Sequence, residues 1–128
     1  MTYSLDSWAV VAWLDNVEPA ASRVERIMRQ RPFISTVNVA EVYYVIKRKH
    51  GEVAAHQIID GLRAQTKFIN ADETVAVLAG QVKSENRMAL GDAFAIATAS
   101  LNDSTLLTGD PEIIGAKGKW KIRDLRQH

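Results

Sequence analysis

The chain has 128 residues, of which 47% are hydrophobic and 24% charged, with a net charge of +1 and no cysteine. This composition argues against disorder and excludes disulfides, thiolate metal sites and a cysteine nucleophile. No run of about 18 apolar residues is present, so no membrane span is expected, and Asp6 and Asp15 interrupt any secretory signal core. We expect one domain over residues 1–128 in the cytoplasm.

Short apolar runs alternate with longer segments of helical periodicity along the chain. The short runs predict strands at residues 3–6, 33–36, 67–70, 105–108 and 120–123. An apolar helix is expected after the first of them, and helical patterns occupy residues 17–28, 38–49, 52–64, 73–87 and 92–101. Strands that alternate with helices predict βαβ units, and hence a parallel sheet with helices on both faces.

Four carboxylates follow or precede the predicted strands in positions that matter for ligand binding. Asp6 closes the first strand, Asp110 follows the fourth by two residues, and Asp92 opens the helix before the fourth. Glu41 lies about one turn into the helix after the second strand. Because open α/β sheets bind ligands at the carboxyl ends of their strands, we expect these side chains to meet at one edge.

Helix capping is an alternative interpretation for each aspartate. Asp6, Asp92 and Asp110 could each be an N-cap, and Asp110 begins an Asp-Pro-Glu sequence typical of a helix start. Glu41 is harder to explain in this way. The residues three and four positions away from it offer no basic partner; they are Val37, Asn38, Tyr44 and Val45. Such a carboxylate needs either a remote partner or a functional site.

The chemistry of this set favours a hard cation. Carboxylate oxygens without histidine or cysteine are the ligands of Mg²⁺ or Mn²⁺. Without a metal, four converging carboxylates would repel one another and raise at least one pKa. Bound divalent ions can lower the pKa of a water molecule and stabilise the leaving oxygen of a phosphodiester. The residues therefore predict metal-dependent hydrolysis of phosphate esters.

Four segments resemble the acidic motifs of PIN-domain nucleases, in the same order and at similar spacing over essentially the whole chain: LDSWAVVAWL (5–14), STVNVAEVYYVI (35–46), GDAFAIATAS (91–100) and LLTGDPEI (106–113). The likeness is greatest to VapC-like toxins of bacterial toxin–antitoxin pairs. It implies a three-layer α/β/α domain with a five-stranded parallel sheet. It also implies an endoribonuclease dependent on Mg²⁺, with Mn²⁺ as a substitute, a homodimer and inhibition by a cognate antitoxin. A non-toxin PIN-like nuclease in RNA processing is the alternative.

The resemblance also implies a role for each matching residue. The acidic set, which would be catalytic and hold the metal, is Asp6, Glu41, Asp92 and Asp110. Asp6 and Asp92 would be direct ligands, Glu41 a ligand or the group that orients the attacking water, and Asp110 part of a second metal position. Thr108 and Ser7 would support the ligands by hydrogen bonds. Family members often have a basic residue where this chain has Gly109, so no contact is expected there.

Several basic residues are candidates for contact with RNA phosphates. They are Lys83 and Arg87, just before Asp92, and Lys117, Lys119 and Lys121 near the C-terminus. The four arginines between residues 23 and 31 form a second local excess of charge without an assigned role. The three histidines, His50, His56 and His128, are interpreted as structural or solvent-exposed.

Other enzyme and binding classes fit less well. A receiver-type phosphoacceptor needs an acidic pair after the first strand, but Asp6 is followed by Ser7; Asp72 and Lys121 could fill its other roles. A haloacid-dehalogenase-type phosphatase needs a second aspartate where Trp8 stands. Neither G-x-x-x-x-G-K-[ST] nor G-x-S-x-G occurs. A catalytically inactive interaction module of the same fold stays open, although four retained carboxylates argue against it.

Overall fold

The computed structural model describes residues 1–127 as five strands and seven helices. The strands are β1 (Tyr3–Leu5), β2 (Phe33–Ser35), β3 (Lys67–Ile69), β4 (Thr105–Thr108) and β5 (Ile122–Asp124). The helices are α1 (Ser7–Leu14), α2 (Ala20–Met28), α3 (Thr36–His50), α4 (Glu52–Gln65), α5 (Glu73–Glu85), α6 (Leu90–Leu101) and α7 (Pro111–Ile114). No helix in this part of the chain has the length and apolar character needed to cross a membrane.

All five strands are parallel and lie in the order β3-β2-β1-β4-β5. Leu5 of β1 pairs with Ile34 of β2 on one side and with Leu107 of β4 on the other. The predicted parallel sheet is thereby confirmed, and the carboxyl ends of all strands lie at one edge. The order differs from the 2-1-3-4-5 order of receiver-type domains, so the receiver interpretation is wrong.

Two apolar cores sandwich the sheet, as the three-layer prediction requires. Leu107 belongs to the core formed with α1 to α4, whereas its neighbour Leu106 belongs to the core formed with α5, α6 and α7. Adjacent strand residues point to opposite faces, so this pair divides the helices into two layers. Helix α6 is buried along most of its length, as its alanine-rich sequence predicts.

Several element boundaries differ by one to three residues from the sequence prediction. Helix α2 begins at Ala20 instead of residue 17, because the Val17 N–H donates to Ala12 O (2.9 Å) and this turn closes α1. Helix α6 begins at Leu90, two residues before Asp92. Strand β5 begins at Ile122 instead of residue 120, and the preceding Trp120 is a partly buried side chain of the core on the side of α5, α6 and α7.

Gly51 caps the end of α3. Gly51 has a φ of +89° and its N–H donates to Lys47 O (3.0 Å). This backbone conformation favours glycine, because other residues meet a steric penalty at positive φ. The start of α3 is capped by the Ser35 hydroxyl, which accepts from the Val37 N–H (3.1 Å). Helix α3 therefore starts directly at the carboxyl end of β2, which brings its first turns to the edge where ligands are expected.

Candidate metal centre

Asp6 lies at the carboxyl end of the central strand β1 and caps α1. Its Oδ1 accepts from the Ala9 N–H (2.8 Å), and its Oδ2 accepts from the hydroxyl of Thr108 at the end of β4. The residue is only 2% exposed. Burial raises the pKa of Asp6 to about 7, against the effect of both hydrogen bonds, and the nearby carboxylates of Asp92 and Asp110 raise it further. The residue is thus both an N-cap and a member of a carboxylate cluster.

Three further carboxylates converge at the same edge of the sheet. Oxygens of Asp92, Asp110 and Glu112 all lie within 4.8 Å of one another. Asp92 is the third residue of α6 and not its N-cap; its Oδ2 accepts from the Ala89 N–H (3.3 Å). Partial burial raises the pKa of Asp92 to about 7, and repulsion by Asp110 adds to this effect. Asp110 caps α7 by accepting from the Glu112 N–H (2.9 Å), as the capping interpretation predicts.

Glu41 approaches the cluster from α3. Its Oε1 accepts from the Ser7 hydroxyl (3.0 Å) and from the amide of Asn38 (2.7 Å). The carboxylate lies against Gly91, the residue before Asp92 in α6. Within residues 1–127, no lysine, arginine or histidine forms a salt bridge with Glu41.

The cluster carries uncompensated negative charge. Among residues 1–127, no lysine, arginine or histidine forms a salt bridge with the carboxylates of this edge, which are Asp6, Glu41, Asp92, Asp110 and Glu112. Exclusively oxygen donors, together with raised carboxylate pKa values, fit a hard divalent cation. The tightest group is Asp92, Asp110 and Glu112, and neither Asp6 nor Glu41 belongs to it.

Glu112 is the site residue that the sequence analysis did not single out. The Asp-Pro-Glu sequence predicts a helix start, and Asp110 is its only predicted ligand. In the structure α7 is four residues long and its first turn lies beside α6, so that Glu112 joins Asp92. An acidic residue two positions after Asp110, beyond the end of a central strand, was the available signal.

Thr108 and Ser7 form hydrogen bonds with the acidic residues. The Thr108 hydroxyl donates to Asp6 and accepts from the Asp110 N–H (3.0 Å), so it connects two of the carboxylate residues. Ser7 donates to Glu41 across the gap between α1 and α3. Both contacts lie at the carboxyl edge of the sheet.

Gly109 allows a close approach by Trp8. A Cβ atom at residue 109 would lie 2.2 Å from the Trp8 ring. The indole therefore occupies space that a side chain at this position would need. It also lines an open groove of about 380 Å³ between α1 and α3, whose apolar wall includes Val11 and Val45 and which leads to Glu41 and Asp110. A larger depression of about 490 Å³ lies beside α2 and contains none of the carboxylates.

The basic candidates lie in two regions, around the turn between α5 and α6 and in the segment before β5. Lys83 donates to Met88 O (2.7 Å) in the turn that leads into α6, and Arg87 is exposed in the same turn. The Lys117 N–H donates to Asn86 Oδ1 (3.2 Å) of this turn. Lys119 is exposed in the following loop. Lys121 lies before β5, at the amino edge, where it forms an exposed ion pair with Asp103 (3.4 Å).

The histidines lie outside the carboxylate cluster. His50 is the last residue of α3, and His56 is exposed on α4, where its ring contacts Tyr43 (3.2 Å). Both positions agree with the structural interpretation. His128 lies outside the described residues.

Comparison with known protein families identifies the fold. The PIN domain family profile matches residues 3–119. The chain therefore belongs to the PIN domain family. Comparison of the sequence with curated proteins gives no significant match.

The structure is also similar to solved toxin–antitoxin proteins. VapBC2 from Rickettsia felis, solved with a promoter DNA fragment, has a TM-score of 0.78 at 15% identity, over 97% of this chain and 98% of that one. A toxin–antitoxin complex from Klebsiella pneumoniae has a TM-score of 0.73 at 22% identity, over 90% and 92%. VapC20 from Mycobacterium tuberculosis, a toxin that cleaves the sarcin–ricin loop, has a TM-score of 0.71 at 13% identity, over 91% and 97%. These TM-scores establish a common fold.

Proposed function

We propose that this protein is a Mg²⁺-dependent endoribonuclease and the toxin of a toxin–antitoxin pair. The observation that carries the proposal is the unpaired carboxylate cluster at the carboxyl edge of a PIN-family sheet. Such a concentration of negative charge is costly unless a cation binds there. The similar folds of VapBC proteins support the toxin assignment.

The proposed ligands are Asp92, Asp110 and Glu112, with Asp6 beside them. When bound, a divalent ion activates water and stabilises the leaving oxygen of the cleaved phosphodiester. Thr108 keeps Asp6 oriented, and Glu41 orients either the ion or the attacking water. Mn²⁺ has the same preference for oxygen ligands and is expected to replace Mg²⁺.

The proposed RNA path runs beside the turn between α5 and α6. Lys83, Arg87 and Lys117 surround this turn, which leads directly to Asp92. Cations in this position would bind phosphates on one side of the cleaved bond without reading the sequence. The sarcin–ricin specificity of VapC20 supports RNA as the substrate class.

The proposed antitoxin binds in the groove between α1 and α3. The groove has apolar walls and leads to Glu41 and Asp110, so it suits a segment with apolar side chains and a basic residue. A segment bound there would cover the carboxylates and block access of RNA. A homodimer is part of the same proposal, by resemblance to the family.

Cleavage of RNA by Asp92→Asn and Asp103→Asn proteins tests the function. Asp103 is a matched control, because it is an exposed aspartate at the opposite edge with a φ of +47°, which asparagine tolerates. We expect Asp92→Asn to lower kcat at least about 100-fold, the scale of a catalytic group, and Asp103→Asn to cleave like wild type. EDTA should abolish cleavage, and Mg²⁺ or Mn²⁺ should restore it.

A wild-type protein that cleaves no RNA at millimolar metal would contradict the nuclease assignment. Full activity of Asp92→Asn would contradict the site. The toxin assignment has its own test: the product of a small adjacent gene should copurify with the protein and inhibit cleavage. A nuclease without such a partner would instead be the RNA-processing alternative.

A further inference from the structure

Glu41 is held by three residues from three different helices. Ser7 from α1 and Asn38 from α3 donate to its Oε1, and Gly91 from α6 lies against the carboxylate. We call Ser7, Asn38 and Gly91 the Glu41 socket. Neither Asn38 nor Gly91 carries a charge or was expected to have a functional role.

Asn38 connects Glu41 to α6. Its Nδ2 donates to Glu41 Oε1 (2.7 Å) and to Gly91 O (3.2 Å). Both partners are acceptors, so the amide must point its nitrogen towards them. The side chain is 1% exposed, and its Oδ1 has no hydrogen-bond partner within residues 1–127. An apolar side chain of similar size would avoid this unpaired oxygen, so fold stability alone does not explain the asparagine.

Gly91 provides the space in which the Glu41 carboxylate lies. A Cβ atom on Gly91 would be 2.3 Å from Oε2 and 2.7 Å from Oε1. Gly91 lies in the first turn of α6, where alanine would be the better helix former. The glycine therefore weakens the helix locally and permits a contact between α6 and the end of a flexible side chain from α3.

The two donors leave the carboxylate with one unused oxygen. Both hydrogen bonds go to Oε1, and no hydrogen bond to Oε2 occurs in the described part of the chain. We propose that Asn38 and Gly91 are positioning residues that fix Glu41 and present Oε2 to the cation or to the attacking water. This inference rests on the proposed metal-dependent function of the cluster.

The first experiment compares Gly91→Ala with Gly80→Ala. Gly80 lies in α5 with nothing within 4 Å of an added Cβ, so it is a matched helix-glycine control. Both variants should unfold cooperatively at or near the wild-type Tm. By isothermal titration of the metal-free proteins, Gly91→Ala should bind Mn²⁺ about tenfold more weakly, the usual effect of losing outer support for a ligand. Gly80→Ala should bind like wild type.

A second variant measures the amide separately. Asn38→Leu keeps the approximate size, removes the unpaired Oδ1 and cannot donate to Glu41. We expect an unchanged or higher Tm together with about tenfold weaker Mn²⁺ binding. A purely structural asparagine would instead lower the Tm and leave the metal affinity unchanged, and that result would overturn its positioning role. If Gly91→Ala does not fold, Asn38→Leu still tests whether the residues around Glu41 support metal binding.

A double-variant cycle shows whether Gly91 acts through Glu41. In a Glu41→Ala background the space beside Gly91 is free, so adding Gly91→Ala should cause no further loss of Mn²⁺ affinity. A further loss of Mn²⁺ affinity in the double variant would contradict the inference that Gly91 acts through Glu41. Wild-type protein that binds no Mn²⁺ and cleaves no RNA would contradict the proposed function itself. If the wild type binds Mn²⁺ and Gly91→Ala binds it with the same affinity, the positioning role of Gly91 is contradicted but the proposed function is not.

Discussion

Asp6 has two effects of opposite sign on the stability of the fold. Its carboxylate caps α1 through the Ala9 N–H, which stabilises the helix. The same carboxylate is buried beside Asp92 and Asp110, and this burial raises its pKa to about 7. Near neutral pH the folded protein therefore holds an ionised or ionising group where it is unfavourable, unless a cation is bound.

Asp6→Asn separates these two effects. Asparagine can still cap the helix but carries no charge. At pH 7.5 without metal we expect a gain in unfolding free energy on the order of 4 kcal/mol, because the pKa of Asp6 rises from 3.8 to about 7 on folding and one pKa unit corresponds to about 1.4 kcal/mol. The rise in Tm on adding Mg²⁺ should disappear. Thermal unfolding with EDTA and with Mg²⁺ measures both effects.

Asp103→Asn is again the control for this measurement and should keep the wild-type response to Mg²⁺. A loss of stability in metal-free Asp6→Asn would show that the charge at this position is tolerated without a cation. That result would contradict the electrostatic account of the cluster.

At the scale of elements, the turn between α5 and α6 is held by contacts that leave basic side chains available. Asn86 accepts from the Lys117 N–H through its side chain and donates to Val82 O (3.1 Å). Lys117 is thus fixed by its backbone, whereas its ammonium group is exposed. Arg87 is exposed in the same turn. The turn leads to Asp92 at the start of α6.

The double substitution Arg87→Ala/Lys117→Ala tests this turn as an RNA contact. Loss of two phosphate contacts should weaken binding of a non-cleaved RNA and reduce the slope of log K against log salt by about 1.4, or 0.7 per contact. Fluorescence anisotropy over a range of salt concentrations measures the slope. Lys121→Ala, at the amino edge, is the control and should leave it unchanged. An equal effect of Lys121→Ala would contradict the placement of RNA at the turn.

Much of the element pattern was predictable because it is local. Hydrophobic periodicity and glycine or proline signals depend on neighbours in the chain, and they placed all five strands and the long helices. The errors have tertiary causes. The short run at residues 120–123 predicts Trp120 in β5, but the strand begins at Ile122, and Trp120 is a partly buried side chain of the core that contains α5, α6 and α7. Val17 was assigned to α2, although its N–H belongs to the turn that ends α1.

At the scale of the whole molecule, the carboxylate cluster links stability to pH. The pKa values of Asp6 and Asp92 are raised to about 7 in the folded state, above their unfolded value of 3.8. Between these values the folded protein binds more protons than the unfolded chain. The stabilising contribution of Asp6 and Asp92 to the free energy of unfolding is therefore fully present below about pH 4. It is lost as the pH rises through 7.

Metal-free protein should accordingly lose stability between pH 5 and pH 7.5 through these two groups, and Mg²⁺ should raise the Tm more at pH 7.5 than at pH 5.5. Thermal unfolding across this range measures both trends. The Asp6→Asn/Asp92→Asn protein should show a flatter pH dependence in the absence of metal. If Mg²⁺ raises the Tm of the wild type more at pH 5.5 than at pH 7.5, the assignment of Asp6 and Asp92 to the metal site is contradicted.

The sequence by itself determined the parallel α/β architecture, because this follows from local periodicity, and it indicated the PIN family through the resemblance of four acidic motifs. Only the tertiary structure added Glu112 to the cluster, joined Asn38 and Gly91 around Glu41, and separated Lys121 from the other basic candidates. Strand order and the packing of α3, α6 and α7 bring these residues together or keep them apart. Contacts between residues distant in the chain leave no periodic signal in the sequence.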